Sequence, residues 1–166
     1  EKIAIDGYNY DSVSANSITI GTGSNVLNLY YTKRADLSYT VNYLEKGSNA
    51  KLKTAKTVSK MTFGSTVKAT DEKIAIDGYN YDSVSADTIT IGTGSNVINI
   101  YYTKRTDLTY TINYLEKDTN KVIKTAKTAN KITYGTVIKA SDEATKIDGY
   151  DYNSADKTSI TVGTGT

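Results

Sequence analysis

Apolar and polar side chains alternate along several short segments of the chain, and this two-residue period is typical of a β-strand with one buried face. The clearest case is residues 39–46, where Tyr39, Val41 and Tyr43 share one face. The same reasoning predicts four further strands, at residues 51–58, 79–84, 88–91 and 96–103. The chain is therefore expected to be mostly antiparallel β structure, which its many Tyr and Thr residues also favour.

Turn-forming residues separate these strands, and one short helix interrupts them. Gly47-Ser48-Asn49 and Gly92-Thr93-Gly94-Ser95 predict hairpin turns, and Asp77-Gly78 predicts a bend. A helix of one or two turns is expected to start at Ser65 or Thr66, because both are residue types that cap helix N-termini.

Each strand offers one apolar row, so another element must cover the sheet to keep that row dry. The short helix and the arm that carries Ile74 and Ile76 are the available covers. These predicted strands, the short helix and the arm together favour an α+β unit of the β-grasp (ubiquitin-like) type, with at most one short helix per unit. A sandwich of two sheets with short strands is the alternative. The lysine-rich strand at 51–58 is expected at a sheet edge, where charge discourages aggregation.

The whole pattern recurs at a constant interval, because the Ile-Asp-Gly-Tyr sequence begins at Ile5, again at Ile76 and again at Ile147. We name this interval the repeat period, and a fixed period of this kind is the signature of a repeat protein. The assignment is residues 1–34 to the second half of one repeat, 35–105 to a complete repeat, and 106–166 to a second repeat that lacks its last strand. Residues 24–34 then form a strand that pairs either within the chain or with another chain.

Composition argues against several classes of function. Twenty Lys and Arg residues against eighteen Asp and Glu residues give a net charge of +2, far from the basic excess of duplex-binding proteins. The chain has neither Cys nor His, so it lacks thiolate metal ligands and the commonest general base. No segment approaches the roughly 20 apolar residues of a membrane span. We therefore expect no nucleic-acid binding, no membrane insertion in this stretch, no enzyme activity and no cofactor.

Four short motifs of the complete repeat carry a family resemblance: Tyr39-Thr40-Val41-Asn42-Tyr43-Leu44-Glu45-Lys46, Phe63-Gly64, Ile76-Asp77-Gly78-Tyr79 and Asn99-Ile100-Tyr101-Tyr102. In this order they resemble the MucBP (mucin-binding protein) repeat. The resemblance implies a β-grasp-like module of Gram-positive cell-wall proteins, some of which adhere to host mucus, and it implies no catalytic residue. Two features depart from the family: Asp precedes the Gly-Tyr pair where Pro is common, and Glu45-Lys46-Gly47 replaces an acidic turn.

Tyrosine is the main aromatic residue, with fifteen copies against a single Phe. Tyr43, Tyr79 and Tyr102 share a face with aliphatic residues and are expected in the core. Tyr81 and Tyr101 are the better candidates for the surface, where an exposed ring can stack on the apolar face of a sugar.

A basic stripe recurs along the chain, formed by Lys51, Lys53, Lys56 and Lys60 and matched by Lys121, Lys124, Lys127 and Lys131. Sialylated and sulfated glycans are anionic, so a repeated stripe gains avidity for them even when each repeat binds weakly. The simpler interpretation of such a charge run is a solvated face.

Oxygen donors cluster at Asp77, Asn80 and Asp82, a composition that calcium favours. The spacing does not match an EF-hand loop, which needs ligands at alternate positions followed by Gly and a distant Glu. A bend followed by a solvated strand face is the favoured interpretation, and a calcium site is the alternative.

Two functions fit these features. In the first, which follows from the resemblance, the repeats belong to an extracellular adhesin that is attached to the cell wall and binds host mucin-type glycans or glycoproteins. In the second, near-identical repeats form an elongated stalk or fibre that presents a distal domain at the cell surface. In both cases the adjacent repeats of the same chain are partners.

Overall fold

The computed structural model describes residues 2–165, which form a mostly antiparallel β structure with two single helical turns. In chain order the strands are β1 (Tyr8–Val13), β2 (Leu29–Lys33), β3 (Leu37–Glu45), β4 (Lys51–Met61), β5 (Thr66–Lys68), β6 (Tyr79–Val84), β7 (Thr88–Thr90), β8 (Val97–Lys104), β9 (Leu108–Leu115), β10 (Val122–Ile132), β11 (Val137–Lys139) and β12 (Ser159–Thr161). The helical turns are a 3-10 turn at Ala69–Glu72 and α1 at Ala140–Glu143. Within the described residues, no helix has the length and apolar character needed to cross a membrane.

The chain divides into two compact units whose boundary differs from the repeat boundary at residue 105. The first unit runs up to Ile74 and also contains Asp82–Tyr101. The second unit contains Ala75–Tyr81 and the residues from Tyr102 onward. The segment Ala75–Tyr81 thus belongs by sequence to the complete repeat but packs with the residues of the next repeat.

The main sheet has the strand order β4-β3-β8-β6. β3 and β4 form an antiparallel pair in which Tyr39 lies opposite Val58. On the other side of β3, the Thr40 amide donates to the carbonyl of Asn96, and the Asn42 side chain donates to the side chain of Asn99. These contacts advance in the same direction along both segments, so β3 and β8 run parallel. The lysine-rich strand β4 lies at the sheet edge, as its charge predicts.

The apolar rows predicted for β3 and β8 are buried, with the row made of Tyr39, Val41, Tyr43, Ile98, Ile100 and Tyr102. Fully burying a Val or Ile side chain stabilises the fold by roughly 1.5–3 kcal/mol. Of the three tyrosines expected in the core, Tyr43 and Tyr102 are buried, whereas Tyr79 is only half-buried. The alternation therefore predicts the core of the sheet correctly and misplaces one tyrosine.

The helix expected to start at residue 65 or 66 begins later, at Ala69, and has one turn, within the one or two turns expected. Residues Thr66–Lys68 form β5, which pairs with β7 by placing Val67 opposite Ile89. A single 3-10 turn follows at Ala69–Glu72, with no side-chain cap. Val67 is β-branched, and its pairing with β7 satisfies backbone groups that a helix start would leave without partners.

The cover of the sheet is partly the predicted one. Ala69 and Glu72 of the 3-10 turn are buried in the first unit, whereas Ile76 of the arm that follows is buried in the second unit. Ile74 of the same arm is 40% exposed. The helical turn therefore contributes a buried carboxylate, that of Glu72, as well as the methyl group of Ala69.

Residues 2–34 contribute the hairpin β1–β2 to the first unit, with Tyr10 opposite Tyr31. The strand predicted at 24–34 is shorter, Leu29–Lys33, and it pairs with β1 of the same chain. In the second unit, the pairs β9–β10 and β11–β12 repeat the antiparallel pairs β3–β4 and β5–β7.

Candidate functional site

The Ile-Asp-Gly-Tyr sequence folds into the same tight bend in all three copies. In each, the tyrosine amide donates to the isoleucine carbonyl three residues earlier, at 3.0 to 3.1 Å. The φ angles of Gly7, Gly78 and Gly149 are +78°, +75° and +77°. A positive φ at the third residue is typical of a type II turn and favours glycine. We name these segments the first, second and third bends, at residues 5–8, 76–79 and 147–150.

An aromatic ring covers the glycine of the first two bends. Gly7 lies against the ring of Phe63, and Gly78 lies against the ring of Tyr134. A Cβ atom added at either glycine would overlap the ring. Each ring is followed by a glycine in the sequence, so we name Phe63 and Tyr134 the lids and their loops the aromatic-Gly loops.

The tyrosine of each of these bends packs on the same ring. The centroids of Tyr8 and Phe63 are 5.6 Å apart in an edge-on arrangement, and those of Tyr79 and Tyr134 are 5.6 Å apart in a tilted one. Aromatic pairs prefer such arrangements and contribute about 0.5–1.5 kcal/mol beyond the area they bury. Tyr79 is therefore half-buried against a ring of the following repeat, which is why its placement in the core was wrong.

The arginine between the repeats joins bend and lid through backbone hydrogen bonds. The Arg34 amide donates to the Gly7 carbonyl at 2.9 Å, and the Phe63 amide donates to the Arg34 carbonyl at 2.8 Å. The corresponding bonds recur at Arg105, again at 2.9 Å and 2.8 Å. Each arginine peptide is thereby fixed on both sides.

The side chain of each arginine is held as well, by the aspartate two residues later. The Arg34 guanidinium donates to both carboxylate oxygens of Asp36, at 3.0 and 2.9 Å, and Arg105 does the same to Asp107 at 2.9 Å. The hydrogen bond from Arg34 lowers the pKa of Asp36. Paired donors facing paired acceptors add geometric specificity, so each ion pair favours one orientation of the arginine side chain.

The aspartate of the bend accepts a hydrogen bond from the threonine of a Gly-Thr-Gly turn. Thr93 Oγ1 donates to Asp6 at 2.8 Å, and Thr164 Oγ1 donates to Asp77. The side chain of Asn96 holds the first of these turns by bonding the amide and the carbonyl of its first glycine, at 2.9 and 3.0 Å. The predicted hairpin turn is thus also a contact with the preceding repeat.

These contacts form one recurring feature, which we name the joint: a bend, a lid, the arginine between repeats and the turn threonine. The first joint lies within the first unit and the second joint lies within the second unit. Corresponding members are all one repeat period apart, and the members are Gly7, Phe63, Arg34 and Thr93 in one joint and Gly78, Tyr134, Arg105 and Thr164 in the other. The period of the sequence is therefore also a period of contacts.

The third bend has no lid. Within residues 2–165, nothing lies within 4 Å of a Cβ atom added at Gly149. Gly149 is exposed, whereas Gly7 and Gly78 are buried. Tyr150 and Tyr152 are 41% and 62% exposed. The bend nevertheless has the same turn bond and the same φ as the others, so it forms without its cover.

The two tyrosines proposed as ligand-facing have different surroundings. Tyr81 is 43% exposed, and its ring meets Tyr102 edge-on with centroids 6.3 Å apart. Tyr101 is half-buried, and Lys46 Nζ lies 5.1 Å from the centre of its ring. The ring of Tyr101 is thus engaged in a cation–π contact, and Tyr81 is the more accessible of the two.

The four lysines proposed as a stripe all lie on β4, but they do not act alike. Lys51, Lys53 and Lys60 are exposed. Lys60 has a φ of +62° and lies opposite a register shift, which makes it the extra residue of a β-bulge. Lys56 is also exposed, with 48% of its side chain accessible, but its ammonium group is paired with the buried carboxylate of Glu72.

Lys56 neutralises the buried carboxylate of Glu72. Its Nζ lies 2.6 Å from Oε2, and the Tyr39 hydroxyl donates to Oε1 at 2.7 Å. Glu72 is only 7% exposed, and a buried charge is tolerated only when it is paired and hydrogen-bonded. The second unit contains the corresponding group, Lys127, Tyr110 and Glu143.

Charge states within this group follow from its geometry. Burial by itself raises the pKa of Glu72, but the hydrogen bonds from Lys56 and Tyr39 outweigh burial and hold this pKa below its ordinary value. Burial and the hydrogen bond to Glu72 raise the pKa of Tyr39 to about 12. Glu72 is therefore ionised and Tyr39 neutral at physiological pH, and the group ties the cover to the sheet.

The two aspartates considered for calcium have separate partners. Asp77 accepts the bond from Thr164, while Asp82 accepts from Ser83 at 2.6 Å and pairs with Lys46 at 3.1 Å. Asn80 is exposed. Among the residues that the structure describes, no three acidic side chains converge as metal ligands.

The lids and the turn threonines were not among the residues predicted to be functional. A signal was present, because Phe63-Gly64 and Tyr134-Gly135 are aromatic-Gly pairs separated by one repeat period. Periodicity alone does not show which segment of a neighbouring repeat such a ring meets. No protein-family model matches the chain, and a comparison with curated proteins also gives no match.

Proposed function

We propose that the chain is a tandem spacer module of an extracellular surface protein, in which joints couple consecutive repeats into an elongated stalk. The observation that carries this proposal is the recurrence of the joint. Lid, backbone bonds and the Asp–Thr bond appear together in two places that are one repeat period apart. Repeats that merely shared a loose linker would not need a matched set of contacts.

The connection between repeats is short, which supports the same proposal. Strand β2 ends at Lys33 and β3 begins at Leu37, so three residues separate the hairpin from the next sheet. Three extended residues span only about 10 Å. Because Arg34 within this segment is bonded to both bend and lid, little backbone freedom is left. The joint thus removes the main source of flexibility in a tandem array.

For the finer fold, we propose a β-grasp-like repeat of the MucBP kind. In support, β3 and β8 are parallel neighbours in the middle of the sheet, and a short helical turn lies between β5 and β6. The MucBP resemblance places such repeats on the cell walls of Gram-positive bacteria, outside the cell. The proposal includes no enzymatic step and no cofactor.

Small-angle X-ray scattering tests the stalk. The samples are this chain and versions lengthened by one, two and three copies of the complete repeat, residues 35–105. Coupled repeats predict that the maximum dimension grows by a constant increment per repeat, whereas freely linked repeats predict growth close to the square root of repeat number. Control chains carry Ala at every lid and are checked for folding by circular dichroism. Square-root growth in the unaltered series would overturn the stalk.

One observation favours glycan binding as a second function of the same surface protein. Lys51, Lys53 and Lys60 are exposed on the edge strand β4, and the second repeat carries exposed lysines nearby in its sequence, at Lys121, Lys124 and Lys131. The partner is expected to be a sialylated or sulfated mucin-type glycan, with Tyr81 as the accessible aromatic residue. Such a contact is electrostatic and weakens as salt rises.

Binding to immobilised mucin at several salt concentrations tests this second function. Changing Lys51, Lys53 and Lys60 to Gln is expected to lower salt-sensitive binding several-fold. The matched control changes three other exposed lysines to Gln, namely Lys139, Lys146 and Lys157. Equal binding by both variants, or no binding by the unaltered chain, would argue against glycan recognition.

A further inference from the structure

We propose that the third bend is a docking site for the aromatic-Gly loop of another repeat of this type. The inference rests on the proposed stalk and names the partner of one of its surfaces. In the first and second bends, that partner is already present within the chain. The third bend offers the same surface without it.

The third bend has the geometry that a lid requires. Its Tyr150 amide donates to the Ile147 carbonyl at 3.0 Å, as in the other bends, and Gly149 has the same positive φ. The residue types Ile, Asp, Gly and Tyr are identical in the three bends. A ring that fits against Gly7 and Gly78 therefore meets the same backbone and the same tyrosine here.

The third bend also presents the polar half of the joint. Asp148 is exposed and corresponds to Asp6 and Asp77, each of which accepts a hydrogen bond from a turn threonine. An incoming repeat would bring the threonine donor as well as the ring. Apolar and polar contacts then fix the same partner, which distinguishes docking from nonspecific burial of exposed tyrosines.

The chain itself shows which chemistry the partner must have. Phe63 covers one bend and Tyr134 covers the other, so the contact needs an aromatic ring but no hydroxyl group. Both of these lids are already seated on their own bends. The occupant of the third bend must therefore be a repeat whose aromatic-Gly loop is unoccupied, and Tyr150, the equivalent of Tyr8 and Tyr79, supplies the exposed aromatic surface for it.

The test lengthens the full chain and observes Gly149 by NMR. A copy of residues 96–166 is added after Thr166, which continues the repeat period and supplies a copy of Tyr134 and a copy of Thr164. Protons held over an aromatic ring shift upfield, so the α-proton signals of Gly7 and Gly78 serve as internal references for a covered bend. In the unaltered chain Gly149 is expected to lack this shift, and in the lengthened chain it is expected to acquire it.

Two variants of the lengthened chain act as controls. Changing the added copy of Tyr134 to Phe is expected to keep the shift of Gly149, and changing it to Ala is expected to abolish the shift. The amide spectrum of the added residues verifies that the Ala variant still folds.

The outcomes separate this inference from the stalk itself. If Gly149 stays unshifted in the lengthened chain while Gly7 and Gly78 are shifted, the docking site is overturned and the two observed joints stand. If none of the three glycines is shifted, the joint is wrong and both proposals fail. A shift of Gly149 that survives the Ala variant would also overturn the lid as the occupant.

Discussion

Gly78 lies so close to the ring of Tyr134 that no side chain larger than hydrogen fits between them. Its φ of +75° independently favours glycine. Gly149 has the same backbone conformation but open space around it. The two positions therefore separate the cost of a positive φ from the cost of displacing the lid.

Replacing Gly78 with Ala is expected to open the second joint. Ala at a left-handed φ costs about 1–2 kcal/mol, and overlap with the ring adds about 1–3 kcal/mol. Hydrogen exchange of the Arg105 amide reports the effect, because this amide donates to the Gly78 carbonyl. Gly149→Ala is the matched control and is expected to carry only the φ cost. Equal destabilisation by the two variants would show that the ring adds nothing.

The aromatic pair of Tyr79 and Tyr134 is expected to be energetically coupled. A double-mutant cycle with Leu at each position should give a coupling free energy of about 0.5–1.5 kcal/mol. Tyr134→Phe is the control and is expected to change stability by less than about 0.5 kcal/mol, since Phe63 fills the same place in the first joint. A coupling energy of zero would contradict the tyrosine–lid contact.

Glu72→Gln is expected to destabilise the first unit by about 1–3 kcal/mol. The change removes the ionic partner of Lys56 and replaces a charged acceptor of the Tyr39 hydrogen bond with a neutral one. Urea unfolding measures the loss. Asp71→Asn is the matched control, because Asp71 lies beside Glu72 in the same turn but is exposed. A similar loss in both variants would indicate a general charge effect.

Stability is expected to fall on the acid side because of Glu72. Its pKa is lowered in the folded chain, so its contribution is complete above the ordinary value of 4.5 and is lost as pH falls through the folded pKa. The pKa of Glu143 is also lowered, by its hydrogen bonds to Lys127 and Tyr110, and it acts in the same direction. Urea midpoints measured from pH 6 downward test this. In the Glu72→Gln variant the midpoint should fall less steeply with decreasing pH than in the unaltered chain. An equally steep fall in the variant would contradict the assignment of the acid loss to Glu72.

A second loss of stability is expected at alkaline pH, and Tyr39 is one cause of it. The pKa of Tyr39 is raised to about 12 from 10.0, so its contribution is complete below pH 10 and is lost as pH rises toward 12. Tyr39→Phe should reduce stability at neutral pH. It should also make stability fall less steeply as pH rises above 10. An alkaline limb of unchanged slope in this variant would assign the loss to other groups.

Much of the sheet follows from the sequence because strands impose a two-residue period on burial. The buried faces of β3 and β8 are the predicted ones, and β6 spans the predicted residues 79–84. The start of the helical turn was misplaced because capping residue types at 65 and 66 compete with the pairing of Val67 and Ile89. Such pairing is a contact between distant residues and leaves no local signal.

The candidate site also combines features set by neighbouring residues with features set by contacts between distant residues. The repeat period, the bend at Asp-Gly-Tyr and the strands around it could be predicted from the sequence, because they depend on neighbouring residues and on the conformational freedom of glycine. Three other features became visible only in the fold: Tyr79 packs on Tyr134, Lys56 pairs with Glu72, and Phe63 and Tyr134 cover Gly7 and Gly78. Each of these depends on which distant atoms share the same space, and spacing along the chain does not contain that information.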